Sequence, residues 1–165
     1  DLCVLAGYML VVGPEMCREF DMINLHPAAP TGPKGTWQEV IWELINDKEP
    51  ETGVMMHLVT PELDRGAVVA YCTFPIRVEP FDKLWRKIET LPKDSLEWGE
   101  TREVLFDLIR QHGLAREFPL IITTIKSFSE GKVKITLDKQ VMDAHGKPIM
   151  GYDLTKAIDK QIGLL

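Results

Sequence analysis

Asn24 and His26 stand two residues apart in the stretch Met22 to Pro30, MINLHPAAP. Side chains of a strand alternate between faces, so an amide and an imidazole at this spacing share a face and can converge on one small ligand. Pro27 stops the apolar run immediately afterwards and leaves both groups at its C-terminal end. His57 lies in a second apolar run, and Asp64 follows it by seven residues. A carboxylate near an imidazole stabilises its charged form and holds its orientation, and an amide N–H alongside can donate to a developing oxyanion. Such a set suits acyl transfer. On residue types alone, a hydrogen-bonded core histidine and a turn amide are the commoner reading, and His57 between Met56 and Leu58 reads as structural. The spacing of His26, His57 and Asp64 matches no ligand template, so no metal is expected.

The elements that must position these groups follow from pattern. Leu2 to Ala6 reads as a strand apolar on both faces, which belongs inside a parallel sheet covered by helices. Pro14 opens a short helix, PEMCREF, and Met22 to Leu25 is the next strand. Thr36 to Asn46 carries Trp37, Val40, Ile41, Leu44 and Ile45 at helical spacing. TGVMMHLVT and GAVVAYCTFPI, separated by PELDR, form an antiparallel pair with Asp64 in its loop. A short helix is expected from Phe81 to Thr90, then an exposed polar excursion containing Pro92, Asp94, Ser95 and Gly99. A long helix from Thr101 to Phe128 would turn Val104, Leu105, Leu108, Phe118, Ile122 and Ile125 inward, with Gly113 and Pro119 weakening or bending it. EGKVKITL is a strand, and Asp153 caps a last helix ending at Gly163.

A chain of 165 residues with 45% hydrophobic content supports one domain with a sizeable core, spanning 1–165. The net charge of −6 and the absence of a clustered Lys/Arg run argue against nucleic acid or an anionic membrane as partner. Cys3, Cys17 and Cys72 fall in no C-x-x-C spacing and read as reduced, buried groups. No apolar stretch approaches the ~20 residues of a membrane helix, and no leader pattern opens the chain. A cytoplasmic protein is expected. Because the first strand begins at once, an N-terminal part of the fold is expected to be missing.

LAGYM followed by GPE, then INLHP, then TGVMMHLVTPELDRGAVV, in this order and at these separations, resembles the catalytic half of the formyltransferases that use 10-formyltetrahydrofolate. Glycinamide ribonucleotide formyltransferase is the nearest type and methionyl-tRNA formyltransferase a second. REFPLIITTIKSFSEGKVKI and GKPIMGYD extend the resemblance over nearly the whole chain, apart from roughly Glu79 to Glu100. It implies an α/β fold with a mixed, mainly parallel sheet and helices on both faces, the formyltransferase fold without its N-terminal strands. It places Asn24, His26 and Asp64 in the catalytic positions, with 10-formyltetrahydrofolate as co-substrate and a small-molecule amine as acceptor, most simply glycinamide ribonucleotide in purine biosynthesis. Asn24 and protonated His26 would donate to the oxyanion, each good donor lowering the barrier by about 3 to 4 kcal/mol. Asp64 would stabilise the imidazolium and help relay the amine proton. The pteridine would lie between Met9, Leu10, Val11 and Val12 and the loop of Val59, Thr60, Pro61, Glu62, Leu63 and Asp64, held largely by backbone groups with Leu5, Val11, Val12 and Val59 as apolar walls. Residue type alone would instead put Val11 and Val12 in the core.

Four departures touch the acceptor more than the folate chemistry. Leu10 stands where many glycinamide ribonucleotide enzymes carry Arg, HPAAP is shorter than the family's HPSLLP, and Met55 replaces a small or hydroxyl residue. The segment KLWRKIETLPKDSLEWGE is inserted, with Trp85 and Trp98 expected to anchor a surface excursion rather than shape an entrance. The phosphate loop of the family's first half is not in this sequence, so either a homodimer or a missing N-terminal segment is expected to complete the sheet. Two alternatives remain beside transfer to an amine: a hydrolase passing the formyl group to water, and a non-catalytic folate-binding or regulatory module.

Overall fold

The apolar run at the start forms β1 (Leu2–Leu5), and Pro14 supplies the first residue of α1 (Pro14–Glu19). Pro is suited to that position because its missing N–H has no helical partner there. The computed structural model describes residues 2–8, 10–62 and 64–164. β2 (Asp21–His26) runs parallel to β1, and α2 (Trp37–Asp47) follows it. The two strands β3 (Glu51–Leu58) and β4 (Val68–Pro75) pair antiparallel, as the sequence pattern indicates. After α3 (Asp82–Thr90) and α4 (Leu96–Ser129), a small hairpin of β5 (Val133–Ile135) and β6 (Val141–Asp143) precedes β7 (Tyr152–Asp153) and α5 (Thr155–Gln161).

The main sheet has the order β1-β2-β3-β4-β7. β1–β2 and β4–β7 are parallel pairs, while β2–β3 and β3–β4 are antiparallel. β3 alone therefore runs against the other four, and the α/β class with a mixed sheet is as expected.

Strand register decides which groups meet. Ile23 pairs with Leu58 and Leu25 with Met56, and on the next strand Val54 pairs with Cys72 and Met56 with Ala70. These apolar side chains share a face and join a core with Leu120 of α4 and Ile158 of α5. Asn24 opposite His57, and His26 opposite Met55, are out of step with them by one residue and so belong to the other face. A second core joins Val40, Ile41 and Leu44 of α2 to Phe81, Trp85, Leu105 and Ile109. Trp85 is buried there and its indole N–H donates to the Ile76 carbonyl, while Arg102 covers the ring of half-buried Trp98 at 4.5 Å. Both tryptophans of the inserted segment serve as anchors.

The start and the register of α4 differ from the sequence expectation. The polar excursion ends at Ser95, whose hydroxyl accepts from Trp98 N–H at 3.2 Å and caps a helix that runs unbroken for 34 residues through Gly113 and Pro119. Leu105 is buried, but Val104, Phe118, Ile122 and Ile125 are exposed. The inward line is instead Thr101, Leu105, Ile109, Arg116, Leu120, Thr124 and Ser127. Of its polar members, Thr101 and Ser127 donate to carbonyls four residues back, and Arg116 donates to the His112 carbonyl and pairs with Asp159 of α5 at 3.1 Å, whereas the Thr124 hydroxyl has no hydrogen-bond partner among the described residues. Among the described residues, no helix is long and apolar enough to cross a membrane.

Candidate active site

The end of β2 and the loop after β3 bring the candidate groups together. A side chain at Gly66 would place its Cβ 1.7 Å from the Leu58 carbonyl oxygen, so the loop presses directly on the strand end. Asp64, within that loop, has φ of 52°, a left-handed conformation that Asp tolerates better than most residues. This tight return carries its carboxylate back over the sheet.

Asp64 then stands between two imidazoles. Its Oδ2 lies 3.7 Å from His26 Nδ1 and its Oδ1 lies 3.4 Å from His57 Nε2, with all three side chains largely buried. The two rings sit edge to face with centroids 6.2 Å apart. His26 Nε2 is 3.1 Å from the Pro33 carbonyl oxygen, which can only accept, so this nitrogen carries a proton. When the ring holds both protons, Asp64 is the acceptor on the opposite side. His57 Nδ1 donates to the Leu58 carbonyl at 2.9 Å, which leaves the lone pair of the neutral ring on Nε2, facing Asp64. That contact is attractive only when a proton lies between the two groups. Burial pushes the His57 pKa below its ordinary value, against the opposing pull of the Leu58 carbonyl and Asp64.

Asn24 completes the arrangement. It is half-buried, lies directly across from His57 in the sheet, and its side-chain amide has no hydrogen-bond partner among the described residues. A cavity of about 380 Å³ opens over Asn24, His26, His57 and Asp64. Leu5, Leu10, Val11, Val12, Val59 and Thr60 also line it, as does the β2–α2 connection. Val11 is 67% exposed, which rules out the core position its residue type suggests. Pro61 and Glu62 are outside the lining; the Thr60 hydroxyl donates to the Glu62 carbonyl and ties the turn. Met9 and Leu63, expected in the same pocket, lie outside the described residues. Met55 is buried beside His26 in register rather than in the cavity wall.

Three contributors are not evident from motif reading. His57 reads as a core residue until strand pairing sets it against Asn24. Trp37 and Glu39 of α2 line the cavity, although an amphipathic pattern marks Trp37 only as an apolar helix residue. Among the described residues, no group of three His, Cys, Asp or Glu side chains is placed to hold a metal ion.

The mixed sheet thus gathers an amide and two imidazoles on one face, with a carboxylate returned over them, at one cavity of an α/β fold. Residues 1–89 match the Formyl transferase family, and the chain belongs to that family. A phosphoribosylglycinamide formyltransferase of Haemophilus influenzae is 30% identical over 156 residues, covering 92% of this chain and 60% of the relative. One from Dictyostelium discoideum is 34% identical over 113 residues, covering 62% and 47% respectively. This chain thus spans roughly half to three-fifths of the curated relatives it matches. Among solved structures, a phosphoribosylglycinamide formyltransferase of Coxiella burnetii shares the fold with a TM-score of 0.56 at 23% identity, over 92% of this chain and 60% of that one. A glycinamide ribonucleotide transformylase of Symbiobacterium toebii gives 0.55 at 25% identity, over 82% and 53%.

Proposed function

We propose that this chain carries the catalytic groups for moving a formyl group from 10-formyltetrahydrofolate to an amine, with glycinamide ribonucleotide as the acceptor. The observation that carries the reading is the His26–Asp64 pair at 3.7 Å beside Asn24, in one cavity. The residues fit the co-substrate: apolar walls at Leu5, Val11, Val12 and Val59 suit a flat ring system, and the cavity is of small-molecule size. Bound there, 10-formyltetrahydrofolate supplies an activated one-carbon acyl group.

The chain's own groups then have separate tasks. Asn24 offers its amide N–H to the oxygen on which negative charge develops as the amine attacks the formyl carbon. His26 keeps its Nδ1 side toward Asp64 and redirects its Nε2–H from the Pro33 carbonyl to hydrogen-bond that same oxygen, without giving up the proton. Asp64 receives the proton the amine loses, directly or through water, and this proton passes to the departing folate nitrogen as its bond to carbon breaks.

The three free cysteines support a reducing, cytoplasmic setting. Tetrahydrofolate release with glycinamide ribonucleotide, alongside calorimetric titration of a folate analogue, tests the reading. Binding with amine-dependent release supports it. Release without amine points to a hydrolase, and binding without any release to a non-catalytic module.

A further inference from the structure

The β2–α2 connection contributes Pro27, Gly35, Thr36, Trp37 and Glu39 to the same cavity as His26. The folate reading occupies the wall formed by Leu10, Val11, Val12, Val59 and Thr60, which leaves this wall for the acceptor. Glu39 is exposed at its edge, with its carboxylate held in place by the helix cap. Its Oε2 accepts from Thr36 N–H at 2.8 Å and from the Thr36 hydroxyl at 2.9 Å, while Thr36 Oγ1 accepts from Glu39 N–H at 3.3 Å. This reciprocal cap occupies the first turn of α2. Gly35 permits the geometry: its φ is 121°, and a Cβ there would lie 2.7 Å from Oε2. The Thr36 backbone N–H, and then its hydroxyl, hold the Glu39 carboxyl below its ordinary pKa, so the group is anionic near neutrality.

Both capping contacts fall on Oε2, and Oε1 has no hydrogen-bond partner among the described residues. Helix N-termini ordinarily attract anions, but here the cap already neutralises that tendency with the protein's own carboxylate. Among the described residues, neither Lys nor Arg lines the cavity. The wall is thus built to accept hydrogen bonds from a ligand and to disfavour a second negative charge.

We infer that Glu39 is a specificity determinant for the acceptor, using Oε1 to accept from a hydroxyl, amide N–H or ammonium group next to the reacting amine. The inference rests on the formyl-transfer reading. An acceptor phosphate, where there is one, is held away from this wall. The class of acceptor selected is an amine flanked by hydrogen-bond donors.

Glu39→Gln separates this role from capping, because a glutamine at the same position can still accept from Thr36 N–H. Calorimetry with glycinamide ribonucleotide and with its dephosphorylated riboside, at saturating folate analogue, should show both binding about tenfold more weakly in the variant. Folate affinity should stay within about twofold and Tm within about 2 °C of the wild type, as a retained cap requires. Unchanged amine binding would reduce Glu39 to a helix cap, and tighter binding of the phosphorylated ligand would show that it only repels. Either result overturns the inference, as does a wild type that binds neither amine. Glu39-dependent amine binding without tetrahydrofolate release would instead sustain this inference and remove the transfer reading.

Discussion

His57 Nε2 lies 3.4 Å from Asp64 Oδ1, enclosed by protein, with no hydrogen-bond partner among the described residues. Because Nδ1 is committed to the Leu58 carbonyl, the two groups attract only through a proton placed between them. Asp64 therefore stands between two imidazoles, His26 on Oδ2 and His57 on Oδ1, and a proton held on Oδ1 would be accepted by the His57 Nε2 lone pair.

Replacing Asp64 with Asn tests the charge without disturbing the turn, since Asn also tolerates the left-handed backbone at this position. Turnover in a tetrahydrofolate-release assay should fall at least about a hundredfold, the lower end for loss of a general acid–base group. His26→Ala should do the same. Binding of a folate analogue should stay within about twofold for both variants, because the apolar walls are untouched. Full activity in either variant would remove the assigned roles.

Burial pushes the pKa of His57, and also of His112, below the ordinary 6.5, with Arg116 reinforcing the effect at His112. The unfolded chain then takes up protons before the folded one as pH falls, so stability is full above about pH 6.5 and declines below it toward the folded values. Thermal melts from pH 7.5 to 5.0 should show Tm falling across that window. Substituting His112 with Gln should flatten the decline, and an unchanged slope would exclude a contribution from this ring.

Much of the architecture is legible in the sequence because it rests on local rules. Alternation and the stop at Pro27 locate Asn24 and His26 on one face, and PELDR between two β-rich runs marks the hairpin that returns Asp64. What was not legible depends on partners distant in the chain. His57 gains its place only through pairing with Asn24, which no local pattern specifies. Glu39 carries no sequence signal of its own, because its place beside the cavity depends on the fold of the β2–α2 connection. On α4, hydrophobicity points to Phe118, Ile122 and Ile125, yet Arg116, Thr124 and Ser127 face inward: the Arg116 guanidinium pairs with Asp159 and Ser127 donates to a backbone carbonyl, while the Thr124 hydroxyl is buried with no hydrogen-bond partner among the described residues.

That inverted register on α4 is directly measurable. Phe118→Glu alters a side chain that is 72% exposed and should change unfolding free energy by no more than about 0.5 kcal/mol. Leu120→Ala, two residues on, empties a fully buried site and should cost about 3 kcal/mol. Urea denaturation of both variants decides the matter, and a reversed order would return Phe118 to the interior.

The pair formed by Arg116 and Asp159 fastens α5 to α4, with the guanidinium buried and also lying 4.3 Å from the centre of the Phe74 ring. Asp159→Asn keeps the shape but leaves a buried cation without its counterion. The expected cost is about 3 kcal/mol, at the low end for a broken buried pair because the Asp159 side chain is 21% exposed. Arg116→Met removes the charge, retains much of the apolar contact with Phe74, and should cost less than Asp159→Asn. Unpaired charge, rather than the lost attraction, would then be the larger penalty. Equal destabilisation of the two variants in urea would show that packing of the long side chain dominates.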